Sequence, residues 1–552
     1  MPEIKEGKSR SMKIGLWTVF TVATLLIVVF IAERIIERKV PPTLQAAVKE
    51  ESKGIYEIRF KTAEVNLFKG QLIATEIQLI PDTMGLGRLQ AEGIGTLFEV
   101  TAKKIDISGF GLLQFLWSKE LHISNLLITE PLITRFIFPH KAGEKKSLQE
   151  QLQNIKNRIT ISETTVQSIQ YRTVDMQTKQ GAWLKNIDAY ASNISLGQRR
   201  SGRADSSAVP FVEKFRIYGK GVTYLSSERL YRFQLGNLVV SSDEGRIRID
   251  SFAVLPKYTE AQWSKSLKYK QDRYDLLFPK IEAFGVGFNE WLEQGSLGVD
   301  SLVINHAVVR VYADKGMPEK TTMASNNFPA LAFQRLKLPI TIGDVFIRNT
   351  DVYYKELNPK SGRAGLVFFK NLNANFRHVS NDKRELKRNP WVSGHLSTYF
   401  LGKPKLTLDL HFNMSDRNGA FTYKGALEGA PAPFYNQLLE PITLARAEKG
   451  YIKALQFNIK ANRYGADVET EMYYNDLKVA ALDVRSGKLE KKGVLSLFIN
   501  WLAIKTDNPS QKNEPARIAR HYYEHPQENT FFNLMWKALY SGLKRNLGLP
   551  EI

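Results

Sequence analysis

Cysteine is absent from all 552 residues, which excludes a disulfide framework and a thiolate metal site and leaves the redox state of the compartment open. Acidic side chains are in deficit, 56 Asp and Glu against 77 Lys and Arg, for a net charge of +21. That surplus favours anionic partners such as phospholipid head groups, lipopolysaccharide or nucleic acid, and does not choose among them. Catalytic signatures are missing too. Neither G-x-S-x-G nor a Walker sequence occurs, and Gly85-Leu86-Gly87 and Gly285-Val286-Gly287 lack phosphate-loop spacing and read as turns. Helical periodicity is scarce, with residues 147–158 and 433–439 as candidates.

What is present begins with an uncharged run of 19 residues at positions 14–32, the length a helix needs to cross a bilayer. Glu33-Arg34-Ile35-Ile36-Glu37-Arg38-Lys39 follows, with no small-x-small cleavage site, so the run reads as an uncleaved signal anchor. A short basic tail, residues 1–13, before a large remainder favours the tail in the cytoplasm and everything after Val40 translocated.

Residues 105–136 recur at 281–312 without a gap, with seven of 32 positions identical: Ile105/Ile281, Gly109/Gly285, Gly111/Gly287, Leu116/Leu292, Leu121/Leu297, Leu126/Leu302 and Ile128/Ile304. No nucleophile or metal ligand is shared, so what recurs is a shape. Its apolar ladder runs Leu121, Ile123, Leu126, Ile128 in one copy and Leu297, Val299, Leu302, Ile304 in the other. Steps of two keep side chains on one strand face, and a step of three changes face unless a bulge or bend absorbs a residue. Residues 111–117 and 287–291 fit a short helix between strands. Similarity extends to 60–81 against 233–256, and to Lys185-Asn186-Ile187-Asp188-Ala189 against Lys370-Asn371-Leu372-Asn373-Ala374. The unit is roughly 175 residues long, too long for a propeller blade or solenoid turn.

Alternation of period two marks strands at 94–107, 215–224, 230–240, 245–254, 366–376, 406–414, 419–427, 454–461 and 466–474. The expected fold is mainly β: an elongated, curved antiparallel sheet of duplicated modules, with an N-terminal transmembrane helix and a C-terminal amphipathic helix. The expected division is 1–13 cytoplasmic tail, 14–32 anchor, 40–230 first β module, 231–400 second, 401–505 a C-terminal β portion and 506–552 a tail. In that tail Phe531, Phe532, Met535, Trp536 and Leu539, with Tyr540 and Leu543, form one apolar helical face. It suits either a membrane interface or a cap on the open end of the sheet.

One motif points to an enzyme. His521-Tyr522-Tyr523-Glu524-His525 fits H-x-x-E-H, in which two His ligands share a helix face and Glu is the general base. Pro526 follows at once, and Glu528 and Glu551 are the acidic residues left downstream for a third ligand. The chain is read as a non-enzyme without metal or cofactor.

The anchor, the ladder Leu121-x-Ile123-x-x-Leu126-x-Ile128-x-x-Pro131-x-Ile133 and the long β-rich body together resemble the AsmA-like proteins of Gram-negative bacteria, relatives of the repeating β-groove, bridge-like lipid transfer proteins. Residues 430–441, followed by Ala447-Glu448-Lys449-Gly450-Tyr451-Ile452, are similar to that family's C-terminal signature, where a Gly opens a strand after a short helix. The resemblance covers most of 14–504. It implies a taco-shaped periplasmic sheet anchored in the inner membrane, with phospholipids in a hydrophobic groove lined by the two ladders, moving lipid toward the outer membrane or supporting its homeostasis. Outer-membrane or envelope proteins are further expected partners. The other class in play is an anchored envelope scaffold binding protein or cell-wall partners. A nucleic-acid role is set aside, since the anchor puts the basic surface on the wrong side of the membrane.

Overall fold

The computed structural model describes residues 56–81, 96–110, 120–138, 158–196, 211–318, 328–491 and 504–549, less short breaks at 67, 178–180, 182, 227–229, 486–487, 512 and 528, together with 45, 48, 49 and 54. The anchor at 14–32, the helical candidate at 111–117 and all but Arg158 of the candidate at 147–158 lie outside the described residues, and Arg158 opens a strand. No helix among those described is long and apolar enough to cross a membrane. The chain is mainly β and divides into two compact units, Met1–Ile249 and Asp250–Ile552.

In the first unit β1 (Tyr56–Arg59) and β2 (Thr62–Asn66) both pair antiparallel with β3 (Gln71–Pro81), and β3 pairs with β4 (Thr96–Ser108). Next to β4 lies one line made of two strands, β5 (Glu120–Thr129) and β6 (Leu132–Ile137), broken at Glu130. β7 (Arg158–Asp175) runs parallel to both. β8 (Trp183–Leu196), β9 (Phe211–Leu225) and β10 (Tyr231–Ser241) continue antiparallel, and the boundary between units falls inside β11 (Arg246–Pro256).

The second unit repeats the arrangement. After helix α1 (Glu260–Ser266), β12 (Arg273–Phe284) pairs antiparallel with β13 (Leu297–Asn305) and β14 (Val308–Asp314), which follow helix α2 (Phe288–Gln294). After α3 (Pro329–Gln334), β15 (Ile340–Asn358) runs parallel to both. From there every strand neighbour is antiparallel: β16 (Arg363–Ser380), then after helix α4 (Lys383–Arg388) β17 (Trp391–Phe400), β18 (Lys405–Asn413) and β19 (Phe421–Pro431). A 3-10 turn (Ala432–Tyr435) and α5 (Asn436–Thr443) lead to β20 (Ala445–Asn462) and β21 (Gly465–Arg485). β21 then pairs with both β22 (Lys488–Lys491) and β23 (Ile518–Glu524) before α6 (Phe531–Asn546).

Two points correct the sequence reading. The sheet is mixed, because the chain leaves β6 and β14 by long connections and returns alongside, which parallel pairing requires; period-two patterning is blind to strand direction. Gly450 does not open a strand: it sits inside β20 at φ 115°, at a register shift opposite β21.

The step of three in the ladder resolves as a shared bend. Buried side chains stop at Ile123 and Ile161 and resume at Leu126 and Thr164, and both pairs stay in register, so two neighbouring strands bend together. Val299/Ile342 and Leu302/Val345 likewise stay in register. At each bend a left-handed glycine, Gly109 (φ 70°) or Gly285 (φ 60°), accepts a hydrogen bond of 3.3 Å from the N–H of Ser124 or Asp300. A Cβ on Gly109 would lie 2.3 Å from Ser124 Oγ, and one on Gly285 1.9 Å from Asp300 Oδ2, so the shared glycines are steric requirements.

Other left-handed residues match between units: Glu76 and Ser251, Glu130 and His306, Ser168 and Asn349, Asn186 and Asn371. The Lys-Asn echo also gains a physical role. Asp188 Oδ1 accepts from the Ser168 N–H at 2.7 Å, and Asn373 Oδ1 from the Asn349 N–H at 3.1 Å, each satisfying a donor that a bulge frees from the ladder.

Candidate functional site

Cross-strand neighbours line up into apolar rows that traverse each unit. In the first, Ala74, Ile105, Ile128, Val166, Ala189 and Ile217 pair in succession from β3 to β9, and all are buried. In the second, one row runs Ile281, Ile304, Ile347, Ala374, Leu396, Leu408, Gly425, Phe457, Thr470, Ala519. Beside it run Ala283, Leu302, Val345, Phe376, Gly394, Leu410, Tyr423, Ile459, Val468 and His521. Glycine enters these rows to make room for rings: a Cβ on Gly394 would lie 2.3 Å from the Phe376 ring, and one on Gly425 2.4 Å from that of Phe457.

Solvent access differs along the way. In the first unit Leu121, Ile123, Leu126 and Ile128 are all within one closed core, Leu126 being 2% exposed. Their counterparts are not closed over alike. Val299 is buried, but Leu297, Leu302 and Ile304 are half-buried, as are Val345, Ile347 and Phe376 beside them. Farther along, Tyr423, Ile459 and Val468 are fully withdrawn into a second core that includes Phe328, Phe531, Leu534 and Ala538. The apolar face of the second unit is thus partly open over β12 to β16 and shut over β19 to β23.

Helices α3, α5 and α6 contribute to the closure, α3 through Leu331 and the preceding Phe328 in the same core. α6 seats on β20, β21 and β23 by a stripe four residues apart, Leu534, Ala538, Gly542 and Asn546, all buried. Ala538 and Gly542 let the helix backbone approach; a Cβ on Gly542 would fall 2.5 Å from Thr470 Oγ1. Tyr423 in the row donates its hydroxyl to Met535 O at 2.9 Å, and burial pushes its phenol pKa well up. Of the residues expected on one face, Phe531 is buried, Met535 and Leu539 flank the seat, Trp536 is half-buried on the other side and Phe532 is 73% exposed. Sequence reasoning missed Leu534, Ala538, Gly542 and Asn546 as the seat, because small and polar residues give no hydrophobic signal. α5 closes the strand ends near β16: a Cβ on Gly365 would meet Ile442 at 2.4 Å. The Asn436 side chain binds the Ala447 N–H and C=O at 2.8 Å each, and Ser361 Oγ donates to Pro441 O at 2.8 Å.

Charge collects at one rim of the open part. Val309, Val311, Ala313 and Lys315 alternate onto one face of the chain at β14, as Val352, Tyr354 and Glu356 do on β15. Tyr354 donates its hydroxyl to Glu356 Oε2 at 2.9 Å, and Lys315 Nζ lies 3.6 Å from the same oxygen. Burial pushes the Lys315 ammonium pKa down, with Glu356 opposing the shift.

The H-x-x-E-H segment lies on strand β23, not on a helix, so His521 and Glu524 point to opposite faces. His521 Nε2 is 2.7 Å from Ser541 Oγ, tying α6 to the strand, and His525 Nε2 is 3.3 Å from Asn529 O. Among the described residues no group of three or more His, Cys, Asp or Glu is placed to hold a metal ion. In comparisons with known proteins, no family model and no curated protein matches the chain.

Proposed function

We propose that the chain is an inner-membrane-anchored periplasmic protein of AsmA-like type that holds phospholipid acyl chains on the open part of its second apolar face. The observation that carries this reading is the row Leu302, Val345, Phe376: continuous with a fully buried core, yet itself only half-buried. The open stretch from β12 to β16 spans three inter-strand steps, about 15 Å at roughly 4.8 Å each. That matches the reach of one acyl chain, about half of a ~30 Å bilayer core. Each methylene laid on the face gains about 0.8 kcal/mol, and sliding between equivalent apolar strands costs little. The matched pairings and left-handed residues support two copies of one curved module. The first copy's closed ladder favours a scaffold role for that unit, with lipid confined to the second.

Photo-crosslinkers at Leu302 and Phe376 in cells test the site. They label phospholipid, whereas those at Arg377, on the opposite face and 73% exposed, and at closed Leu126 do not. Labelling of protein alone at Leu302 and Phe376 would replace the lipid reading with the scaffold. A reporter fused at residue 60 tests the anchor, and activity specific to the cytoplasm would overturn that topology.

A further inference from the structure

The helix that shuts the apolar face has a second side that this closure does not use. At 3.6 residues per turn, Trp536 lies about 200° around the axis from Leu534, so while Leu534, Ala538 and Gly542 seat on the sheet, Phe532, Trp536 and Tyr540 form a ridge on the other side. Phe532 is 73% exposed, one of the most exposed large apolar side chains described. Trp536 and Tyr540 stack with centroids 5.8 Å apart and planes at 22°. Lys544 Nζ lies 5.5 Å from the Tyr540 ring centroid and Lys537 Nζ 6.0 Å from it, so two cations border the aromatic pair. Residues 529–549 contain Lys537, Lys544 and Arg545 and no Asp or Glu.

We infer that this outer ridge of α6, Phe532, Trp536 and Tyr540 with Lys537 and Lys544, is a docking surface for an anionic phospholipid bilayer. Stacked Trp and Tyr beside a projecting Phe match the level of lipid head groups, where amphipathic rings settle. Lysines bordering the rings reach phosphates while their stems stay on apolar surface. A protein partner fits less well: three side chains, two of them half-covered, offer roughly 300–400 Å², against about 800 Å² per partner in a specific interface. The buried stripe fixes the ridge, so docking needs no refolding, and it holds whether or not the face over β12 to β16 carries lipid. One helix then closes the apolar face with its inner side and meets a membrane with its outer side.

The cysteine-free chain permits a direct test. A nitroxide is attached to Phe532→Cys in the full chain, carried in phosphatidylcholine nanodiscs, and phosphatidylglycerol or phosphatidylcholine vesicles are added. With phosphatidylglycerol the label gains oxygen accessibility and loses accessibility to a water-soluble nickel chelate; with phosphatidylcholine it does not. The same label at Tyr522, outward on β23, stays in water. Lys537→Glu with Lys544→Glu weakens the response tenfold or more, as expected for reversing two surface charges, with circular dichroism unchanged. A Phe532 label indifferent to phosphatidylglycerol, or equally responsive to both lipids, overturns the proposal. So does dipolar broadening that grows with protein concentration without vesicles, which would make the occupant a second copy of the chain.

Discussion

Replacing Asn546 by Ala should release α6 from the sheet without unfolding the strands before it. Asn546 is fully buried and its amide is saturated. Oδ1 accepts from Thr470 Oγ1 at 2.9 Å, and Nδ2 donates to Thr470 O at 3.2 Å and Arg517 O at 2.9 Å. Its carbonyl accepts from Tyr474 Oη at 3.2 Å, and that phenol accepts in turn from Arg517 Nη2 at 2.9 Å. Asn508, also fully buried, completes the network, accepting from the Arg517 N–H at 2.7 Å and donating to Met472 O at 2.6 Å. Alanine removes three hydrogen bonds and leaves the buried Thr470 hydroxyl without its acceptor, while Arg517 O keeps a bond from Asn508 Nδ2 at 3.2 Å. Each lost bond costs about 0.5–1.5 kcal/mol, so a loss of about 3 kcal/mol is expected. That corresponds to roughly a hundredfold faster amide exchange in α6 if the helix opens locally. Hydrogen exchange by mass spectrometry should show this acceleration in peptides over 531–546, with those of β12 to β16 unaffected. Thr470→Val should cost about 1 kcal/mol, and the double variant less than the sum by about as much, since both remove one bond. Asn546→Asp should be worse than Ala, placing an oxygen against two carbonyls. Unchanged α6 exchange in Asn546→Ala, or equal acceleration across the unit, would refute the latch.

Tyr435 is buried, its hydroxyl without a hydrogen-bond partner among the described residues, and burial, with a smaller contribution from Tyr451, pushes its pKa up to about 12. The unfolded phenol ionises near 10 while the folded one keeps its proton, so stability falls from pH 10 to about 12. Tyr435→Phe should raise stability by about 1 kcal/mol at pH 7 and remove up to roughly 2–3 kcal/mol of alkaline loss. Denaturant midpoints at pH 7 and 11 decide it, and a less stable Phe variant at pH 7 counts against it. Gly285→Ala, at φ 60° with its Cβ 1.9 Å from Asp300 Oδ2, should cost about 2 kcal/mol. Gly109→Ala should cost a similar amount, each seen in exchange of its own unit; neutral substitutions would remove the steric account of the shared glycines. Zinc and chelators should leave the melting temperature unchanged, because His521 and His525 are each hydrogen-bonded on an extended segment and no third ligand joins them among the described residues; a zinc-dependent rise of several degrees would contradict that placement.

Strands were legible wherever alternation was clean: the pattern at 406–414 became β18 (Lys405–Asn413) and that at 245–254 became β11 (Arg246–Pro256). The step from Ile123 to Leu126 announced an irregularity, and the paired bend supplied its form. Parallel pairing of β7 and β15 was not legible, since direction leaves no mark on a two-residue period. Nor was the contrast between closed Leu126 and half-open Leu302, because identical strand residues are buried or not according to what packs over them. On α6 the large apolar residues read as one face, yet the helix divides them between its two sides, and the seat rests on Leu534, Ala538, Gly542 and Asn546, of which the last three serve closeness and hydrogen bonding.

The most direct test of the central claim is phospholipid bound per molecule of the purified full chain, measured by organic extraction and mass spectrometry, beside a variant carrying Leu302→Asp and Val345→Asp. Both positions are half-buried neighbours in one cross-strand row, so a carboxylate there stays within reach of water while barring acyl chains. The expected result is at least one phospholipid per wild-type chain and a loss of most of it in the variant, with the same circular dichroism and melting temperature. A wild-type chain free of phospholipid, or equal lipid in a folded variant, would contradict it.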